Sequence, residues 1–189
     1  MYGQFLKETL IIDGIYIIMN ENWHGIMKLI EVVHTNSNGE ILFKQNNVLN
    51  ILHRTGEQYI LNTVFIGSKS DYFYFGLDGR SGLTVLDTMT TISNAGNEPN
   101  INGYSRVSVS SVNAFSLSLV SDHYVVTCPV ISFSATGGSW GPVKNLFLTT
   151  SSNNSGTLIA SVPLSQNTTL SAGDTLNVRL GLSLRDIPG

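Results

Sequence analysis

The chain has 189 residues, of which 42% are hydrophobic and only 12% charged, with a formal net charge of −3. An ordinary globular domain carries about 25% charged residues, so this chain has the apolar content of a folded protein without the basic blocks that direct nucleic-acid binding requires. Its single cysteine, Cys128, excludes an intrachain disulfide framework and any multi-cysteine metal site.

In chain order, the first feature is an apolar, β-branched run over residues 10–19, interrupted by Asp13 and Gly14. It is too short for a membrane span. It also lacks the basic front and small-residue cleavage site of a leader. Residues 1–26 therefore read as a folded or docked arm, and residues 27–189 as one core domain. Left free in water, such a segment is an aggregation hazard, so something must cover it. Ile11, Ile12, Ile15, Tyr16, Ile17, Ile18 and Trp23 are its candidate interface residues, with strand addition to a neighbouring subunit favoured over an extra strand in its own domain.

Residues 28–34 and 40–45 read as two strands joined by an Asn-Gly turn at Asn38 and Gly39. Residues 47–65 hold the one helical pattern. Val48, Leu49, Ile51 and Leu52 recur at helical spacing, Ile60, Leu61, Val64 and Phe65 continue it, Asn46 or Asn47 supplies a cap, and Gly56 either breaks or weakens the helix. An aromatic strand follows at residues 72–77, then a long irregular excursion over 78–105. Strands are expected at 106–112, 115–119, 124–133, 143–149, 158–162 and 176–184, with Pro129 marking an edge or bulge. Alternating strands at this spacing predict a mainly β protein, an antiparallel β-sandwich of jelly-roll type with one short helical segment. Phe73, Phe75, Leu77, Val107, Val109, Val126, Phe133, Phe147, Leu158, Val178, Leu180 and Leu182 are the expected core.

Catalytic signatures are missing from the sequence. His24, His34, His53 and His123 have no metal-type spacing, and there is no nucleophile elbow or phosphate loop. The glycine-rich run from Gly76 to Gly82 lacks the Lys-Ser/Thr ending of a phosphate cradle. Asp71, Asp78, Asp87, Glu98, Asp122 and Asp174 are the candidates for a glycosidase-like carboxylate pair, and Asp78 and Asp87 for a loop calcium site; all but Asp71 sit in turn contexts, where carboxylates cap backbone amides, which is the favoured reading. Asp78 is expected to pair with Arg80 or Arg106. Cys128, within an apolar run, reads as a buried inert thiol. No cofactor is expected, and the protein reads as non-enzymatic.

Four stretches carry a resemblance: 50–57 (Asn-Ile-Leu-His-Arg-Thr-Gly-Glu), 74–80 (Tyr-Phe-Gly-Leu-Asp-Gly-Arg), 98–106 (Glu-Pro-Asn-Ile-Asn-Gly-Tyr-Ser-Arg), and Ser132–Ala135 together with Trp140-Gly141-Pro142 and Asn145–Thr149. Over residues 27–185 this order resembles small virion structural proteins of tailed double-stranded-DNA phages. The resemblance implies a β-rich virion component made in the host cytoplasm, without catalytic residues, membrane or direct nucleic-acid contact. Its expected partners are other virion proteins, either the major capsid protein or tail and neck subunits, and its own copies in a homo-oligomer. The leading expectation is a capsid decoration (cement) protein. The alternative is a tail, neck or fibre component, possibly one that binds the host.

Overall fold

The computed structural model describes residues 9–12, 15–18, 23–49, 51–67, 69–94, 97–111, 114–120 and 123–186. Its core is a sandwich-like pair of antiparallel sheets, as the alternation predicts. The first sheet contains β3 (Trp23–Thr35), β4 (Ile41–Leu49), β8 (Ser116–Val120), β9 (His123–Thr127), β10 (Ile131–Ser134) and β13 (Thr175–Asp186), in the order β4-β3-β13-β9-β8, with β10 also on β13. The second contains β5 (Ile51–Leu52), β6 (Tyr72–Asp78), β7 (Val107–Ser110), β11 (Trp140–Thr149) and β12 (Leu158–Leu170), in the order β5-β12-β11-β6-β7. β1 (Thr9–Ile12) and β2 (Ile15–Ile18) form a separate antiparallel pair.

The sequence explains most of these elements. The β3–β4 turn places Gly39 at φ 85°, where a side chain is strained, and Asn36 Oδ1 accepts from the amides of Asn38 and Glu40. Pro129 cannot donate to a ladder, and the apolar run around it divides into β9 and β10 on either side. Inward residues of both sheets share one core: Val32, Phe43, Ile131, Phe133, Leu176, Val178 and Leu180 from the first, and Phe75, Leu77, Val109, Leu146, Leu148 and Val162 from the second. Of the expected core, Phe73, Val107 and Leu182 are half-buried and Val126 is 37% exposed.

The helical expectation over 47–65 is half corrected. α1 spans Arg54–Phe65, while its expected first half is the end of β4 and all of β5. Asn46 and Asn47 are therefore strand residues, and His53 occupies the N-cap position. The apolar spacing at 48–52 served two strands instead, because a four-residue apolar cluster satisfies either period. Gly56 does not break α1. A Cβ there would overlap the carbonyl of Ile159, so glycine lets the helix lie directly on β12. Tyr59 and Ile60 point to the core, whereas Leu61 and Val64 are exposed.

The excursion after β6 is the main departure from a two-layer reading. It contains a second helix, α2 (Met89–Asn94), and lies over the outer face of the second sheet. Met89, Ile92 and Leu83 pack there against Phe147 and Leu158. β11 is therefore buried on both faces from Asn145 to Thr149, and Phe147, expected in the core, is buried under this outer layer instead of between the sheets. Its ring lies where Gly76 has no side chain; a Cβ on Gly76 would collide with it.

Candidate functional site

Covering that outer face buries polar residues, and most find partners there, although the Thr149 hydroxyl and His53 Nδ1 have no hydrogen-bond partner among the described residues. Asp78, fully buried, accepts from the Arg80 amide at 3.1 Å and stands 3.3 Å from Arg80 Nε. Asn145 donates to the Arg80 carbonyl, and Arg80 Nη1 to the Thr91 carbonyl at 2.9 Å. Burial raises the Asp78 carboxyl above its ordinary range, against the pull of the Arg80 guanidinium and its amide. Of the two arginines expected as partners of Asp78, Arg80 is the one that pairs. The other, Arg106, grips Glu98 with its fork: Nε to Oε1 at 2.8 Å and Nη2 to Oε2 at 2.6 Å.

Arg106 also donates to the carbonyls of Ser151 and Asn153 and to Asn154 Oδ1, and its guanidinium lies 5.2 Å from the centre of the Phe147 ring. Tyr104 donates to Glu98 Oε1 at 3.0 Å while its hydroxyl oxygen accepts from the Leu77 amide at 2.8 Å. Burial first, and then the Glu98 charge, push that phenol far above its ordinary range. Trp140 meets Tyr104 edge to face and donates to the Asn102 carbonyl, and Asn102 takes the left-handed conformation at φ 56°. Every carboxylate oxygen of this cluster faces a structural donor, so its chemistry is fastening: it ties residues 98–106 to the 151–154 turn and to two strands. Beside it lies a mixed pocket of about 210 Å³, walled by Asn97, Pro99, Ile101, Trp140 and Pro142.

His53 and Ser161 form a third buried pair, Nε2 to Oγ 2.9 Å, under the excursion. Burial lowers the His53 pKa from its usual 6.5 to about 4, outweighing the opposing pull of Asp87 and the Thr84 backbone. Folding thus favours neutral imidazole. The unfolded chain takes up a proton below about pH 6.5 that the folded chain refuses until about pH 4, so the stability this residue contributes is present above pH 6.5 and lost as pH falls through that window. The full loss is on the order of 3 kcal/mol. Thermal unfolding at pH 7.5 and pH 5 checks it: His53→Gln should flatten the difference, and an unchanged difference would assign the pH dependence to other groups.

Cys128 is buried in the core, where burial raises its thiol pKa and its sulfur accepts from the Leu180 amide at 3.1 Å, as an inert thiol does. Asp174 and His34 pair at 2.9 Å, and Asp174 also accepts from the Ser171 amide in the turn before β13. Asp87 accepts from the Thr84 amide and hydroxyl, as a turn cap does. Among the described residues no three His, Cys, Asp or Glu side chains are grouped to hold a metal ion. Among them, too, no helix is long and apolar enough to cross a membrane.

The apolar surfaces lie elsewhere. Every residue of β8 is exposed, and its outer edge is unpaired among the described strands. Leu117 opposes Val126, which in turn opposes Leu182 on β13, so these three share one face of the sheet, with Leu119 and Tyr124 beside them. Leu117 is 65%, Leu119 61% and Tyr124 63% exposed. This is the core-facing side of the first sheet, running out past the second. Where the sheets part, Phe73, Phe115, Val126, Cys128, Leu180 and Leu182 line part of an apolar cavity of about 260 Å³. The β8–β9 surface is not among the sequence-predicted site residues, although the Ser-Leu-Ser-Leu-Val alternation is its visible signal.

Of the arm's candidate interface residues, the register brings Ile11 opposite Tyr16 and Ile12 opposite Ile15, with Ile17 and Ile18 farther along the same pair. Their side chains lie outside the described residues. Trp23 opens β3 opposite Asp186, and the expected division at 26/27 falls inside that strand.

No curated protein and no solved structure matches the chain significantly. One family model does, that of the podophage GP4 fiber I protein gp80, over residues 83–183. The match takes in α2, the Glu98–Tyr104–Arg106 cluster, β7 through β12 and most of β13. It supports a phage virion structural protein and favours the tail-and-fibre alternative; capsid decoration, the leading expectation from sequence, gains no support from it. Spanning more than half of the 189 residues, the match places this chain in the podophage GP4 fiber I protein gp80 family.

Proposed function

We propose that the protein is a non-catalytic subunit of a phage tail fibre, joined to neighbouring virion subunits and to its own copies. The family match over residues 83–183 is the observation that carries this reading. Two further features support it. The buried carboxylates that catalysis would need are engaged by Arg80, Arg106 and His34 in structural pairs. The apolar surface instead lies at an open sheet edge, where subunits join. On this reading residues 1–26 are the segment that ties subunits together, through Ile11, Ile12, Ile15, Tyr16, Ile17, Ile18 and Trp23.

Gold-labelled antibody against the protein, imaged on purified particles, tests the location. Label is expected on the tail appendages, together with a low copy number by quantitative mass spectrometry. Label distributed over the shell, in the copy number of coat subunits, would overturn the fibre reading in favour of decoration.

A further inference from the structure

Two unfinished β surfaces stand out among the described strands. The β1–β2 pair is hydrogen-bonded to neither sheet of the core, and a lone two-stranded pair is marginal in water. Among the described strands the outer edge of β8 is unpaired, with the exposed apolar face of Leu117, Leu119 and Tyr124 beside it and the apolar cavity behind. Neither β1, β2, β8 nor β9 contains an Asp, Glu, Lys or Arg, so a ladder between these strands places no formal charge within it; Asp13 and Asp122 fall in the connections between strands.

We infer that the β1–β2 arm of one copy docks on the β8 edge of a second copy, extending its first sheet and covering the Leu117–Leu119–Tyr124 face and the mouth of the cavity. This rests on the reading of residues 1–26 as the intersubunit segment and names the surface that receives it. At the β8 edge, reach favours a second copy over the arm's own chain; the β4 edge, next to β3, is within reach of the arm's own copy, but the apolar cavity is not behind it. A strand added outside β8 lies four strand spacings from β3, about 19 Å. Ile18 and Trp23 are five residues apart, which spans at most about 18 Å at full stretch. An arm passed to a neighbour has no such limit, and the contact is heterologous: each copy gives one arm and receives one.

The test uses the full chain and two double variants. Leu117→Glu with Leu119→Glu charges the receiving face at exposed positions, and Ile11→Glu with Ile17→Glu charges the arm. Circular dichroism confirms that each keeps its β spectrum, and light scattering reads the mass. The unaltered chain should associate, each variant alone should be a monomer, and an equimolar mixture of the two should recover a dimer, because it contains one intact arm and one intact edge. A monomeric unaltered chain, association that survives the Leu117/Leu119 change, or a mixture that stays monomeric would each overturn the docking. Particle labelling separates the two readings: shell label with this pattern intact removes the fibre assignment alone, and tail label with any of the three adverse results removes the docking alone.

Discussion

Replacing Arg106 with alanine is expected to destabilise the protein by about 3–5 kcal/mol, the cost of removing one partner from a buried ion pair. Its side chain is 4% exposed, and it is the shared donor of the Glu98 carboxylate, the Ser151 and Asn153 carbonyls and Asn154. Alanine strands all of them at once and leaves the Glu98 charge beneath the outer layer. Arg106→Lys keeps the charge but not the planar fork, so it should recover only part of the loss. Urea unfolding measures both. A loss below about 1 kcal/mol for Arg106→Ala would mean that water replaces the guanidinium freely and that the cluster does not hold the excursion down.

Phe147→Ala should cost a similar amount, about 3–5 kcal/mol, for a different reason. The ring is 1% exposed and fills the space between Gly76, Met89, Ile92 and Leu158, so its loss leaves a cavity that strands on both sides keep open. It also supports the Arg106 guanidinium. The two effects should therefore not add: a double-mutant cycle between Arg106 and Phe147 is expected to return a coupling of about 0.5–3 kcal/mol, as contacting residues do. Additive losses would show that the stacking contributes nothing and that the outer layer is held by its ion pair and its apolar residues independently.

These two residues also show the limits of reading outward and inward faces from alternation. Phe147 was expected to be buried and is, but on the face that alternation would give to solvent. Asp78, Asn145, Ser161 and His53 lie on that same covered side, and a polar residue that later elements cover is locally indistinguishable from one left in water. The Arg80 and Arg106 contacts join positions up to 48 residues apart, and no local period signals them. The start of α1 failed for another reason: Val48, Leu49, Ile51 and Leu52 fit a helix in sequence, and only pairing with β3 and β12 made strands of those positions.

By itself the sequence determined what depends on near neighbours. The Asn-Gly turn, the strand alternation at 116–120 and 175–186, the break at Pro129 and the dearth of charge all act over a few residues, and they sufficed to specify an antiparallel β protein with an inert cysteine. Tertiary structure decided which strands became partners, that Leu83, Met89 and Ile92 cover the outer face of the second sheet, and that the outer edge of β8 is unpaired among the described strands. Burial is a property of what packs from elsewhere in the chain, and whether Leu117 and Leu119 lie in a core or on a docking face depends on where the second sheet ends.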